Sequence, residues 1–122
     1  MATVLIVEDN AANLKLATLL LSKAGYGVLQ ANDAVSGMAL TRSKMPDLIL
    51  MDIQLPGMSG LEATALLKAD PATRDIPVIA LTALAMKGDE ERIRAGGCDG
   101  YLTKPLIFRE FLALVASLLQ QK

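Results

Sequence analysis

The sequence predicts an α/β fold: an open, five-stranded parallel sheet with helices on both faces. Two observations carry that reading. Short apolar runs alternate with longer amphipathic segments five times along the chain, and strands joined through helices assemble into parallel sheets by right-handed crossovers. Three of the runs are apolar without a break, as strands covered on both faces must be.

The five runs are 4–7, 27–31, 48–51, 78–81 and 100–102, and the unbroken ones are the first, third and fourth. Helical segments fall near 11–24, 34–44, 60–69, 87–95 and 107–120. Each of the first four ends at a recognisable stop: Gly25, Pro46, Asp70-Pro71 and Gly96-Gly97. Ser59-Gly60-Leu61-Glu62 reads as a capping box that opens the third helix. In the first helix, Leu14, Ala17, Leu21 and Ala24 form the core stripe, and Ala12, Leu16 and Leu19 fall on the opposite side at 100° per residue. The fourth helix is short and carries Gly88, which weakens a helix by ~1 kcal/mol relative to alanine. The fifth has a poor start, because Leu106 and Ile107 supply no capping oxygen. Its expected core stripe is Phe108, Phe111, Leu112, Val115 and Leu119, with Ile107, Leu114 and Leu118 as a second stripe beside it. No linker, repeat or domain boundary interrupts the 122 residues, so residues 1–122 read as one domain.

Composition narrows the chemistry. The chain is 52% apolar, and its 12 basic and 13 acidic side chains leave a net charge of −1, which argues against binding polyphosphate by bulk charge. The lone cysteine, Cys98, excludes an intrachain disulfide. The absence of histidine excludes a Ser-His or Cys-His nucleophile pair, a histidine metal ligand and a phosphohistidine on this chain. No run has the length of a membrane span or the form of a signal peptide, and a cytoplasmic location is expected.

Polar residues follow the apolar runs directly: Glu8-Asp9 the first, Asp52 the third, Thr82 the fourth, Thr103-Lys104 the fifth. In a parallel α/β sheet these strand ends share one edge, where ligands bind. Each residue has a plain alternative. Glu8-Asp9 could cap the first helix and meet its dipole, and taken alone that reading is the stronger. Asp52, Thr82 and Lys104 could be loop residues. Their joint arrangement is harder to set aside, since three acids and a lysine would meet in one pocket. Close carboxylates repel and call for a hard cation, and an all-oxygen ligand set favours Mg²⁺. Glu8, Asp9 and Asp52 sum to −3, and Mg²⁺ with Lys104 to +3, a balance suited to receiving a phosphoryl group. Asp52 can act as a carboxylate nucleophile, with Thr82 offering a hydroxyl and Lys104 an ammonium.

The segments 4–10, 48–60, 80–83 and 104–105 together resemble a CheY-like receiver domain of two-component response regulators, and the segment 82–101 is especially similar to DivK-like single-domain response regulators. The resemblance spans essentially the whole chain. It implies the doubly wound, flavodoxin-like (βα)5 sheet with strand order 2-1-3-4-5. It also implies roles, position by position. Asp52 would be the phosphoacceptor. Asp9 and Asp52 would ligate Mg²⁺, with the Gln54 backbone carbonyl as a further ligand and Glu8 acting mostly through water. Thr82 and Lys104 would contact the phosphoryl group. Tyr101 would be the aromatic switch residue, and Lys104-Pro105 would be joined by a cis peptide. Gln54 and Leu84 lie where the family varies its dephosphorylation rate, and Ile107 replaces its usual small polar cap.

The implied activity is acceptance of a phosphoryl group from a partner phosphohistidine, followed by a change of protein-binding surface. The partners would be a sensor histidine kinase or histidine phosphotransfer protein and a downstream protein target, with no nucleic acid and no membrane. The chain would be a monomer or weak dimer, and no enzyme beyond assisting its own phosphorylation and dephosphorylation. A receiver cut from a hybrid histidine kinase or longer regulator is the alternative context. A small Mg²⁺-dependent aspartyl-phosphate phosphatase is the competing class. It usually has a second acid just after its nucleophile and a cap over its substrate, and Asp52-Ile53-Gln54 lacks that acid. A dinucleotide site is disfavoured, because no G-x-G-x-x-G follows the first strand.

Overall fold

The computed structural model describes residues 2–83 and 89–120. Among these, the order is β1 (Thr3–Val7), α1 (Ala11–Lys23), β2 (Gly27–Ala31), α2 (Ala34–Lys44), β3 (Leu48–Asp52), α3 (Gly60–Ala69), β4 (Val78–Thr82), α4 (Asp89–Ala95), β5 (Gly100–Thr103) and α5 (Phe108–Gln120). The strands form one sheet in the order β2-β1-β3-β4-β5, every pair parallel. Fold class and strand order are those predicted. Leu84 and Gly88 lie outside the described residues.

Strand alternation explains the unbroken apolar runs. Leu5 and Val7, Ile49 and Met51, and Val78 and Ala80 pack under α2, α3 and α4, against Ala34, Met38, Ala63, Leu67 and Ile93. Their neighbours Val4, Ile6, Leu48, Leu50, Ile79 and Leu81 pack under α1 and α5, against Ala17, Leu21, Phe111, Val115 and Leu118. Each Leu or Ile so buried contributes roughly 1.5–3 kcal/mol.

Side-chain oxygens start the first three helices: Asn10 Oδ1 accepts from Asn13 N–H at 3.0 Å, Asp33 Oδ1 from Ser36 N–H at 2.7 Å and Ser59 Oγ from Glu62 N–H at 3.2 Å. The last contact is one half of the predicted capping box. Gly25, with φ +95°, and Met45, with φ 48°, turn the chain out of α1 and α2.

Two expectations about packing need correction. Phe108, expected in the core stripe of α5, is 53% exposed, whereas Leu118, expected in the second stripe, is buried. The buried line runs Phe111, Val115, Leu118 at i, i+4, i+7. Phe108 shares its phase, but it sits in the first turn of a helix running antiparallel to the strands, at the edge where the sheet ends. Ala24 is the exposed C-cap of α1 rather than part of its core stripe. α5 also begins at Phe108, with the Ile107 carbonyl accepting from Phe111 N–H at 2.9 Å.

Candidate functional site

Six polar side chains are buried among the described residues: Glu8, Thr41, Asp52, Thr64, Thr73 and Thr82. Three donate to carbonyls close by in sequence. Thr41, Thr64 and Thr73 donate to the carbonyls of Gly37, Gly60 and Leu67 at 2.7–2.8 Å, which satisfies them within their own helices and turns. The other three, Glu8, Asp52 and Thr82, stand at the C-terminal ends of β1, β3 and β4, on the one edge where the topology gathers ligand-binding residues.

β1 lies between β2 and β3 in the sheet, so the ends of β1 and β3 are adjacent, and the chain leaves them toward opposite faces through α1 and α3. That juxtaposition brings carboxylate oxygens of Glu8, Asp9 and Asp52 within 4.8 Å of one another. Lys104, just beyond β5, reaches across: its Nζ lies 2.9 Å from Asp52 Oδ2 and 3.1 Å from Glu8 Oε1. Its backbone N–H donates to the Thr82 carbonyl at 2.8 Å, and the Lys104–Pro105 peptide is cis. Gln54 N–H donates to Asp52 Oδ1 at 2.9 Å, a contact the sequence did not announce because it depends on the chain turning back directly after β3. The Gln54 side chain is exposed.

The capping alternative for Glu8 and Asp9 is removed. Asn10 is the N-cap of α1, and Glu8 instead points into the protein, fully buried, with Oε2 accepting from Asp9 N–H at 3.1 Å. Thr82 is paired in register with Thr103, and Tyr101 with Ala80. Tyr101 is half-buried against the α2–α3–α4 layer, where Val78 and Ala80 also point. Thr82 continues that alternation, so Thr82 and Tyr101 are diagonal neighbours on one face, and Tyr101 does not join the acidic cluster.

The electrostatics are those of a site one cation short. Burial, reinforced by the neighbouring Asp52 carboxylate, pushes Glu8 from its ordinary 4.5 up to about 7, against the opposing pull of Lys104. Burial would also raise Asp52, but hydrogen bonds from Glu8, Lys104 and Gln54 N–H outweigh it and hold Asp52 below its usual value. Below about pH 7 one proton thus resides on Glu8 while Asp52 stays ionised. Burial works against the Lys104 charge, but its two carboxylate partners prevail and raise its pKa. Glu8 Oε1, although ion-paired with Lys104, is buried without a well-directed hydrogen bond. An unmet buried oxygen beside two further carboxylates, with no thiolate or imidazole near, is a donor set that fits a hard divalent cation. The cluster could hold such a metal.

The pH dependence follows. Between 4.5 and about 7 the folded protein holds a proton on Glu8 that the unfolded chain has released, so stability falls as pH rises through that window. The opposite contribution of Asp52 lies below it. In metal-free buffer the urea midpoint should therefore be lower at about pH 8 than at about pH 5.5. Millimolar Mg²⁺ should raise the pH 8 midpoint more than the pH 5.5 one, because cation and proton compete for Glu8. Equal midpoints at both pH values in metal-free buffer would show that Glu8 is ionised throughout.

Residues 4–116 match the response regulator receiver domain family. The chain is 51% identical over 117 residues to the polar-differentiation response regulator DivK of Brucella anthropi, covering 96% of this chain and 95% of that protein. Among solved structures, the receiver domain of a Pseudomonas aeruginosa sensor histidine kinase, with a magnesium ion coordinated in its active-site cleft, superposes with a TM-score of 0.90 at 33% identity over 98% of both chains. The chemotaxis protein CheY4 of Vibrio cholerae gives 0.89 at 26% identity over 97% of this chain and 98% of that one. With its fold, strand order and sequence all in agreement, this chain belongs to the response regulator receiver domain family of two-component signalling.

Proposed function

We propose that Asp52 is the phosphoacceptor of this receiver, taking a phosphoryl group from the phosphohistidine of a sensor histidine kinase or histidine phosphotransfer protein. The observation that carries the reading is the Lys104 ammonium spanning Asp52 and Glu8 at 2.9 and 3.1 Å, beside a buried carboxylate oxygen with unmet bonding capacity. Glu8, Asp9, Asp52 and the Gln54 carbonyl would hold Mg²⁺, which when bound supplies positive charge for the phosphoryl oxygens.

Asp52, kept ionised by its neighbours, supplies the attacking oxygen. The new O–P bond forms as the P–N bond to the donor imidazole breaks, and the electron pair leaves with the imidazole. Lys104 is placed to follow the charge: its contact with Asp52 passes to a phosphoryl oxygen as the group arrives. Burial of Asp52 keeps bulk water from the carboxylate. The Thr82 hydroxyl then turns toward the phosphoryl group, and Tyr101, its diagonal neighbour, repacks against the layer that holds α4. The ten elements act in this as a single receiver unit. Leu16 and Leu19, both exposed on α1, offer an apolar patch near the site for the donor protein, and the region around Tyr101 and α4 is the surface read by a downstream target.

The test is direct. Incubation with a small acyl phosphate and Mg²⁺ should add one phosphoryl mass, releasable by hydroxylamine and suppressed by EDTA, and a phosphorylated histidine donor should transfer faster. A protein that gains no mass from either donor would overturn the reading.

A further inference from the structure

We propose that Gly60 is a positioning residue for the acidic site, its bare α-carbon letting α3 seat directly on the Asp52–Ile53 peptide and so fixing the Asp52 carboxylate between Glu8 and Lys104. The inference deepens the function proposed above and rests on it for the role of Asp52. A β-carbon at position 60 would overlap the backbone oxygen of Asp52 and lie 2.8 Å from Ile53 Cα and 2.9 Å from the Asp52 carbonyl carbon. All three are backbone atoms, so no side chain can swing aside. At Gly37, Gly97 and Gly100 the nearest obstacles are side-chain atoms instead.

Neither partner in this contact can retreat freely. On the helix side, Ala63 and Leu67 lock α3 into the core, and the Thr64 hydroxyl grips the Gly60 carbonyl at 2.8 Å from within the buried layer. On the strand side, Ile53 N–H donates to the Leu81 carbonyl at 3.1 Å, and the Ile53 carbonyl accepts from Gly60 N–H at 3.3 Å. Close-packed interiors transmit such an overlap rather than absorb it. Any side chain at position 60 must therefore move the peptide that carries Asp52. The Asp52 carboxylate would leave its place near Glu8 and Asp9, and the Gln54 N–H contact at 2.9 Å would be disturbed with it.

The experiment compares Gly60→Ala with Leu67→Ala, which opens a cavity two turns further along α3 without adding an atom near Asp52, and with Thr64→Val. Urea unfolding first establishes the temperature at which each is folded. Backbone-amide NMR then follows Mg²⁺ binding in the absence of any phosphoryl donor, and labelling by a small acyl phosphate follows reactivity. Gly60→Ala should raise the Mg²⁺ Kd roughly 10–100-fold, the range found when a group that orients a metal ligand is disturbed. Its labelling should slow in step, and its Gln54 amide resonance should already be shifted before Mg²⁺ is added. Leu67→Ala should lose stability yet keep the wild-type Kd and Gln54 resonance. A folded Gly60→Ala with wild-type Kd and Gln54 resonance would overturn the proposal, as would an equal loss of Mg²⁺ affinity in Leu67→Ala. Should Gly60→Ala not fold, Thr64→Val decides: it loosens the grip on the Gly60 carbonyl, so Kd should rise, and an unchanged Kd overturns the proposal. Wild-type protein that binds Mg²⁺ but accepts no phosphoryl group would overturn the proposed function instead, while the Kd comparison still judges Gly60.

Discussion

Asp52→Asn should reduce acyl-phosphate labelling on the order of 10³-fold or more, because the substitution removes the attacking carboxylate oxygen while leaving its shape. The same change should narrow the pH dependence of metal-free stability, because Asp52 is one of the groups that raise Glu8, and without its charge Glu8 gives up its proton at lower pH. Added Mg²⁺ should stabilise wild type more than the variant, which has lost a ligand. Mass spectrometry of the labelled protein and paired urea titrations with and without Mg²⁺ read both effects. Undiminished label in Asp52→Asn, mapped to a residue outside the acidic cluster, would remove Asp52 from its proposed role. An unchanged pH dependence between pH 4.5 and about 7 would contradict the electrostatic account of the site.

Lys104→Ala should separate phosphorylation from its consequences. Phosphorylation takes Asp52 from about −1 to about −2, so the ammonium matters more after transfer than before it. Without Lys104, labelling should slow by roughly 10²-fold, the scale seen when one charge-stabilising donor is removed, yet still occur with Mg²⁺ present. The distal response should be lost. With beryllofluoride and Mg²⁺, wild-type protein should change amide-exchange protection around Tyr101 and α4 far more than in α2, and Lys104→Ala should show change only near Glu8, Asp9 and residues 52–57. A Lys104→Ala protein whose α4 and Tyr101 respond as in wild type would reduce the lysine to a local counter-charge. Lys104 is tied to the switch face by geometry as well as charge, since its backbone N–H donates to the carbonyl of Thr82.

The order of elements, the parallel sheet and the gathering of Glu8, Asp9, Asp52, Thr82 and Lys104 at one edge were all legible in the sequence. Each depends on a local signal: apolar runs of strand length, glycine and proline stops, and a polar residue directly after a run. In a parallel sheet such a residue has one place to go. Tertiary structure decided what local pattern leaves open. By pattern Glu8-Asp9 could equally open α1, and only the seating of Asn10 as the cap and the burial of Glu8 show that Glu8 turns inward, where burial raises its pKa to about 7. Helical phase placed Phe108 in the core, but phase does not say where the sheet stops, and Phe108 overhangs its edge. The crowding of Gly60 against the Asp52 peptide arises between segments that are close in sequence yet belong to a strand and a helix docked on it. Periodicity reports which face of an element is apolar; how closely two backbones approach is set only when those faces are packed.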